Sequence, residues 1–229
     1  MNQCEENQFQ PRIICNKGNI LLRDLRMPLS DASVFNLQFE LNNLDTSKVN
    51  TDLLVTPQLY NLLEKVNVDL IEKIHILNSL TTMNNEEIDI CIIFKNIAKE
   101  VGIKKKYILF RATKYLNKLN NSITYYNKDL TYEHKDLIEN YLKLLNLDNN
   151  NYEPLLFNFG KTIIVLTNEN NTNTNNTNNT NENIVNLKFC IDFQITMTDD
   201  IPNYMTNIIG LMFKKMFHNV KLFIENLNS

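Results

Sequence analysis

The chain has 229 residues and a mass of 26.9 kDa, which allows one large domain or two small ones with a substantial core. Hydrophobic residues make up 43% of the sequence and charged residues 21%, as in ordinary globular proteins. A formal net charge of -3 excludes an overall positive field that would recruit nucleic acid or an anionic membrane. The four glycines are isolated, which excludes a glycine-rich phosphate loop.

The N-terminus and the cysteines predict an intracellular protein. Residues 1–10 are polar and include Glu5 and Glu6, so they do not fit a signal or transit peptide. The least charged long stretch, 201–213, is too short to cross a bilayer. The cysteines show no short spacing, so we expect reduced thiols in a cytoplasmic or nuclear protein: Cys4, Cys15, Cys91 and Cys190.

The start of the chain predicts a flexible N-terminus, 1–11, followed by a strand hairpin. Short apolar runs at 12–15 and 20–25 flank a turn-forming cluster at 16–19. Apolar residues then alternate with polar ones over 35–41, which predicts a third strand.

Two stretches before residue 102 predict helices. Thr56 and Pro57 form a helix start, and apolar residues at steps of three and four continue a buried stripe to about Asn78. Residues 84–101 fit both an alternating strand and a helix. Acidic residues near the start and Gly102 after the end favour the helix.

The following segments predict strands, one helix and an insertion. Residues 107–115 and 122–127 indicate two strands, an apolar face over 131–146 indicates a helix, and 162–167 indicates a further strand. Residues 168–183 contain only Asn, Thr and two Glu, with nothing to bury. They predict a disordered insertion in a hairpin.

Residues 184–227 are the best-defined unit of the sequence. Every second residue from Val185 to Met197 is apolar, which predicts a strand with one buried face. Asp199 and Pro202 then suit a helix start, and apolar residues at steps of three and four predict a long terminal helix.

The order of these elements indicates an α+β fold. Most neighbouring elements are joined by short connections, which favours a mostly antiparallel sheet with helices on one face and a long C-terminal amphipathic helix. The simplest division is a single domain over 12–229. An arrangement of two lobes divided near residue 102 stays open.

Side chains that usually carry catalysis form no catalytic pattern here. No nucleophile lies in a recognisable elbow, and no cysteine or histidine pair has the spacing of a zinc site. The histidines fit exposed helix positions: His75, His134 and His218. The sequence therefore predicts a protein that is not an enzyme and has no metal or cofactor. An enzyme is the third hypothesis, and its site would have to gather Asp192, Asp199 and His218.

One cationic cluster precedes and enters the strand at 107–115. Its basic residues are interleaved with aromatic ones, a combination that can hold single-stranded nucleic acid. The acidic overall charge and the lack of a nucleic-acid motif favour a lysine turn leading into a strand, although an acidic partner protein could also use the cluster. The residues of this possible basic patch are Lys104, Lys105, Lys106 and Arg111.

The C-terminal helix supplies the leading functional hypothesis. It carries a second set of apolar residues beyond its main stripe, so its apolar arc is wider than packing on one sheet requires. We predict a non-catalytic interaction subunit or adaptor of an intracellular multiprotein complex that binds other protein subunits. A central helix buried by the chain itself explains the arc equally well. The predicted partner-binding residues are Ile208, Leu211, Phe213, Phe217, Leu222 and Ile224.

The strand and helix at 184–227 resemble two known arrangements. One is the helix-grip fold of START-like lipid carriers, which implies an antiparallel sheet curved over the C-terminal helix and an apolar ligand. The other is the strand-plus-long-helix ending of small scaffold subunits, such as those of actin-nucleating assemblies. Three strands before the first helix, and the helix at 131–146, depart from the first arrangement. A carrier of a small apolar ligand or lipid is therefore the alternative to the adaptor.

Overall fold

The structure is a computed structural model that describes residues 11–25, 33–81, 86–96, 104–131, 135–147, 151–168, 183–196 and 203–229. Its strands are β1 (Arg12–Lys17), β2 (Ile20–Asp24), β3 (Ser33–Asp45), β4 (Ile71–Thr81), β5 (Glu86–Phe94), β6 (Lys105–Asn117), β7 (Ser122–Asp129), β8 (Tyr152–Pro154), β9 (Leu156–Asn168) and β10 (Ile184–Thr196). Its helices are α1 (Asp52–Val55), α2 (Gln58–Val66), α3 (Lys135–Leu144) and α4 (Asn203–Asn228). The predicted N-terminal segment and insertion lie outside the described residues, apart from their end positions.

The described strands form one 10-stranded sheet in the order β1-β2-β3-β10-β9-β7-β6-β5-β4, with β8 beside β6. Neighbouring strands along this path are antiparallel, whereas β8 pairs parallel with β6. The predicted hairpin at the start of the chain is β1 and β2, turning at Gly18 with a φ of 67°. This arrangement, with α4 as the last element, confirms the predicted α+β class.

The main core lies between one face of the sheet and helices α2 and α4. Alternate residues of β10 are buried, as the period of two predicted. From α4 the side chains of Phe213, Met216, Val220 and Ile224 enter this core at steps of three and four. The core draws on strands from both sides of residue 102 and places α4 against the middle of the sheet.

A smaller core covers part of the opposite face, where α3 packs. Cys91 and Ile93 of β5 point to this face, because neighbouring residues on a strand point in opposite directions. They meet Ile138 of α3 in a cluster separate from the main core. Thus α1, α2 and α4 share one face of the sheet, whereas α3 covers the other face at β5 and β6.

The predicted helix from Thr56 to Asn78 is wrong in its second half. Helix α2 ends at Val66, and β4 begins five residues later at Ile71. The register of β4 shifts twice, between residues 71 and 73 and between 76 and 78. Each bulge adds one residue, so that Ile71 and Ile74 both face the core at a spacing of three. This irregular spacing imitates the period of a helix.

The helix predicted over 84–101 is also wrong where the structure describes it. Residues 86–94 form β5, which pairs with β4 on one side and β6 on the other. Both faces of β5 are buried, one under α4 and one under α3. A strand buried on both faces has a nearly continuous apolar sequence, so its apolar residues fit the period of a helix as well as that of a strand. Residues 97–101 lie outside the described part of the chain.

Candidate ligand cavity between the sheet and the C-terminal helix

Aromatic side chains fill the space between α4 and the centre of the sheet. The ring centroids of Phe193 on β10 and Phe213 on α4 lie 4.8 Å apart. Phe157 on β9 approaches Phe193 at 6.4 Å and Phe110 on β6 at 5.6 Å. These separations are typical of favourable ring pairs. These rings come from β6, β9, β10 and α4, and together they line one region of the main core.

A buried amide pair attaches α4 to the end of α2. The Nδ2 atom of Asn67 donates to the backbone oxygens of Leu63 at 2.9 Å and Met216 at 3.2 Å. Its Oδ1 atom accepts from Nδ2 of Asn219 at 2.9 Å. Asn67 is fully buried, so these bonds replace those that water would make. They fix the position of Met216, which faces the core.

Two lysines attach the outer side of α4 to the strands beyond β10. The Nζ atom of Lys214 donates to the backbone oxygen of Lys17 at 2.9 Å, and Nζ of Lys221 donates to that of Glu40 at 2.8 Å. Lys221 also pairs with Glu225. Both lysine side chains are largely buried, so their aliphatic parts add to the packing while the charged ends remain bonded. Helix α4 is therefore held at both edges.

A small cavity of about 60 Å³ lies inside this aromatic region. Residues from α2, β5, β6, β7, β9, β10 and α4 line it, and most of them are apolar. It is the space between sheet and helix where an apolar molecule would be surrounded by apolar side chains. The lining includes Phe110, Phe157, Ile191, Phe193, Phe213 and Met216.

Local irregularity in β9 directs Phe157 into the cavity. The register between β9 and β10 shifts near Thr196, which changes the face to which the first residues of β9 point. The backbone N–H of Phe157 donates to Oδ2 of Asp129 at 2.6 Å. The ring of Phe157 lies over Gly160, where an added Cβ atom would come within 2.3 Å of it. Gly160 is therefore required for this placement.

Three polar side chains interrupt the apolar lining: Tyr60, Asn127 and Thr162. The Oδ1 atom of Asn127 is buried and has no hydrogen-bond partner. Burial raises the pKa of Tyr60, so its phenol stays neutral and keeps its proton. The sequence analysis missed all three residues. The only signal in the sequence was for Asn127. It follows Ile123 and Tyr125 at every second position of the strand and therefore lies on the same buried face.

The six predicted partner-binding residues of α4 fall into two groups. Phe213 and Ile224 are buried in the main core, and Phe217 packs against it. The other three remain exposed at 47%, 41% and 44% respectively: Ile208, Leu211 and Leu222. Half of the wide apolar arc is therefore covered by this chain. A contact role for the three exposed residues stays a prediction.

The lysines of the predicted basic patch lie beside acidic residues. Lys105 pairs with Glu72 at 2.6 Å, and Lys106 pairs with Glu153 at 2.5 Å. Lys104 is exposed and also has an interaction within the chain. The positive charges of Lys105 and Lys106 are thus balanced locally.

Arg111, the fourth member of the patch, has a structural role at the second core. Its guanidinium donates to both carboxylate oxygens of Asp89, at 2.7 Å and 2.9 Å. The hydroxyl of Tyr141 on α3 donates to the same carboxylate at 3.1 Å. Because Asp89 is almost completely buried, these bonds balance its charge. They connect α3 to β5 and β6.

The remaining candidate reactive residues are distributed over the fold. His75 lies on β4 instead of on the predicted helix, and burial beside Lys73 lowers its pKa. Burial raises the pKa of the Cys91 thiol to about 12, which is typical of an unreactive cysteine. His134 lies outside the described residues. Among the residues that the structure describes, no cluster of His, Cys, Asp and Glu could hold a metal ion.

The enzyme site considered from the sequence is not assembled by the described residues. Asp192 accepts a hydrogen bond from Asn36 at 2.5 Å on the sheet face opposite α4. His218 belongs to α4 and lies over Gly18 on the other side of the sheet. Asp199, the third member, lies outside the described residues.

A larger groove lies on the surface and has different chemistry. Its volume is about 360 Å³, and it runs between the β1–β2 turn, β3 and the C-terminal half of α4. Amide and charged groups dominate its lining, including Asn16, Gln38, Lys221 and Glu225. An apolar ligand would leave these groups without water or partners. The internal cavity is therefore the better candidate site despite its smaller volume.

Comparison with solved structures places the fold in a known class. Human StAR-related lipid transfer protein 5 matches with a TM-score of 0.58 and 9% identity, over 97% of this chain and 88% of that one. The lipid transfer and protein localization domain of human StarD13 matches with a TM-score of 0.57 and 8% identity, over 96% and 89%. A STAR-related lipid transfer protein fragment from Xanthomonas axonopodis matches with a TM-score of 0.52 and 10% identity, over 96% and 99%.

The chain therefore adopts the START-like helix-grip fold. Identities of 8–10% establish the fold and nothing beyond it. No protein-family model and no curated protein matches the sequence. None of the described helices is long and apolar enough to span a bilayer.

These comparisons contradict the adaptor hypothesis. The three matching structures named above carry lipid transfer in their titles, and none is titled a scaffold or complex subunit. The hypothesis rested on the wide apolar arc of α4, which we attributed to a partner. Residues of β10, β9 and α2 cover much of that arc instead. The alternative of the sequence analysis, the helix-grip arrangement, agrees with the observed fold.

Two features that counted against the helix-grip fold have structural explanations. The three N-terminal strands extend the sheet beyond β10, through antiparallel pairing of β3 with β10. Helix α3 lies on the outer face, so β7 and β9 pair directly although α3 separates them in sequence. Neither feature disturbs the packing of the sheet around α4.

Proposed function

We propose that this protein carries one small apolar or lipid molecule, enclosed between the sheet and α4. The observation that supports this proposal most directly is the apolar cavity at the centre of the main core. Transfer of apolar surface from water into such a cavity stabilises a complex by about 25 cal/mol per Å². The lipid transfer function in the titles of the matching structures points in the same direction. The proposed role includes no catalytic step.

Ligand binding must widen the cavity. Its volume of about 60 Å³ is well below the roughly 300–1,000 Å³ of pockets that enclose drug-sized molecules. Met216 is unbranched and adapts readily, and the rings of Phe157 and Phe213 occupy space that a ligand would take. We therefore expect these three side chains to move when a ligand enters.

Native mass spectrometry of the protein, purified gently from its own cells, tests the proposal. We expect a monomer that carries one apolar small molecule. Ile191→Phe adds a ring to the cavity lining and should reduce the ligand-bound fraction severalfold, whereas Ile191→Leu keeps the volume and should leave it unchanged. Thermal unfolding of both variants shows whether the fold is retained.

A second measurement tests ligand binding directly, in case the ligand is lost during purification. The purified chain is incubated with vesicles of phosphatidylcholine that contain either a fluorescent long-chain alcohol or a fluorescent fatty acid, and uptake of each probe is measured after the vesicles are removed. A bare monomer from cells that also takes up nothing from the vesicles would refute the carrier function.

A further inference from the structure

Asn127 places an unpaired hydrogen-bond acceptor in an apolar cavity. Its Oδ1 atom is buried without a partner, and the side chain lines the cavity together with phenylalanine rings. A buried polar atom that lacks a hydrogen bond costs the folded state about 1–3 kcal/mol. Most buried polar groups in proteins do have partners. An exception inside a candidate ligand cavity points to a partner that arrives with the ligand.

Two hydroxyl groups accompany Asn127 in the lining. Thr162 lies on β9 opposite Tyr125 of β7, two residues away from the Asn127–Gly160 pair in the register. Tyr60 reaches the cavity from α2, with its ring 6.0 Å from that of Phe110. These groups are all neutral, and the cavity lining contains no lysine, arginine or carboxylate. The site thus offers hydrogen bonds but no charge.

We propose that the cavity selects a neutral apolar alcohol, whose hydroxyl group donates a hydrogen bond to Oδ1 of Asn127. This inference rests on the proposed carrier function and specifies the chemical class of its ligand. The oxygen of the ligand's hydroxyl group in turn accepts a hydrogen bond from the hydroxyl of Thr162 or Tyr60. Both the donor and the acceptor of the ligand's hydroxyl group then have a partner. The remainder of the ligand lies among the phenylalanine rings.

Charged head groups do not fit the same site. A carboxylate or phosphate in this cavity would be desolvated without an opposing charge, which is strongly unfavourable. An ether or hydrocarbon of equal size would leave Oδ1 of Asn127 unpaired, as it is without ligand. The site should therefore discriminate by the presence of a donor on the ligand.

Two isomeric probes test this discrimination: 1-octanol and 1-methoxyheptane, which have the same formula but differ in the hydroxyl donor. We expect the full-length protein to bind 1-octanol about tenfold more tightly, since one hydrogen bond to a buried acceptor contributes on the order of 1.4 kcal/mol. Isothermal titration calorimetry measures both affinities, and methyl NMR of Ile191 and Met216 confirms binding in the cavity.

Variants assign the preference to Asn127. Asn127→Leu should bind the two probes equally and should be at least as stable to heat as the wild type, because it removes an unpaired polar group. Asn61→Leu, at an exposed position on α2, should keep the tenfold preference.

The outcomes separate this inference from the function on which it rests. If the wild type binds both isomers equally, the alcohol site is refuted and the carrier function stands. If Asn127→Leu keeps the preference, the assignment to Asn127 is refuted. If neither isomer binds to any variant, the carrier function and the inference both fail.

Discussion

Single polar side chains determine how α4 sits on the sheet. The buried Asn67, directly after α2, pairs with the half-buried Asn219 of α4 and also bonds to the backbone of α4. Apolar packing has little directional preference, whereas these bonds require one position of the helix. The shape of the cavity therefore depends on residues outside its lining.

The first prediction concerns Asn67. Asn67→Ala removes three hydrogen bonds and leaves Nδ2 of Asn219 with fewer partners. We expect a loss of roughly 2 kcal/mol in the free energy of unfolding and a fall in Tm of roughly 4–8 °C. Urea and thermal denaturation followed by circular dichroism measure both quantities.

Asn61→Ala is the matched control, because Asn61 is an exposed asparagine on the same helix. It should leave stability unchanged or slightly raised, since alanine favours helix. Equal destabilisation by both substitutions would show that helix propensity, not the amide pair, accounts for the effect.

Elements with irregular or two-sided burial are those that the sequence misassigned. The bulges in β4 placed apolar residues at steps of three, and burial of both faces of β5 added apolar residues that also fit a helix. By contrast, the buried residues of β10 all lie on one face, and its prediction was accurate to one residue at each end. Periodicity identifies a strand only where one face is polar.

The second prediction concerns the Asn/Thr-rich segment between β9 and β10. Val185 already pairs with Asn168, so the two strands meet directly at the described ends of this segment. Replacement of residues 170–182 by Asn-Gly should leave the fold intact and Tm unchanged or a few degrees higher. Shortening a flexible loop stabilises a protein by about 0.6 kcal/mol for each halving of its length.

Circular dichroism and thermal unfolding of the shortened chain test this expectation. A fall in Tm of more than roughly 5 °C would mean that the segment contributes packing to the folded state, contrary to its composition. Scrambling the same residues at constant length is the control for composition.

At the scale of the whole molecule, two half-buried histidines make stability depend on pH. Burial lowers the pKa of His218 below its ordinary 6.5, and Lys214, Lys221 and Lys17 lower it further while Glu225 opposes them. Burial likewise lowers the pKa of His75. The unfolded chain therefore binds protons more readily than the folded chain as pH falls through 6.5, so acid favours unfolding.

The third prediction is that the protein becomes less stable as the pH falls. The free energy of unfolding, measured with urea, should be lower at pH 5.5 than at pH 7.5. His218→Gln removes one of the titrating groups and should show a smaller difference between the two pH values. An undiminished difference in His218→Gln would assign the pH dependence to other groups.

The sequence by itself determined the α+β class, the N-terminal hairpin, the strand β10 and the long amphipathic helix α4. These features depend on patterns within a few neighbouring residues, such as the alternation in β10 and the turn at Gly18. The spacing of apolar residues within an element indicates how many of its faces are buried. It does not indicate which distant element buries them.

Long-range packing, in contrast, sets what covers α4 and where a ligand could bind. Phe213 and Phe217 have the same apolar character whether a partner or the chain itself covers them, and their packing in the main core shows that the chain itself does so. The cavity likewise joins Tyr60, Asn127 and Phe213, which are far apart in sequence. Their proximity arises from long-range strand pairing and helix packing, to which local periodicity is insensitive.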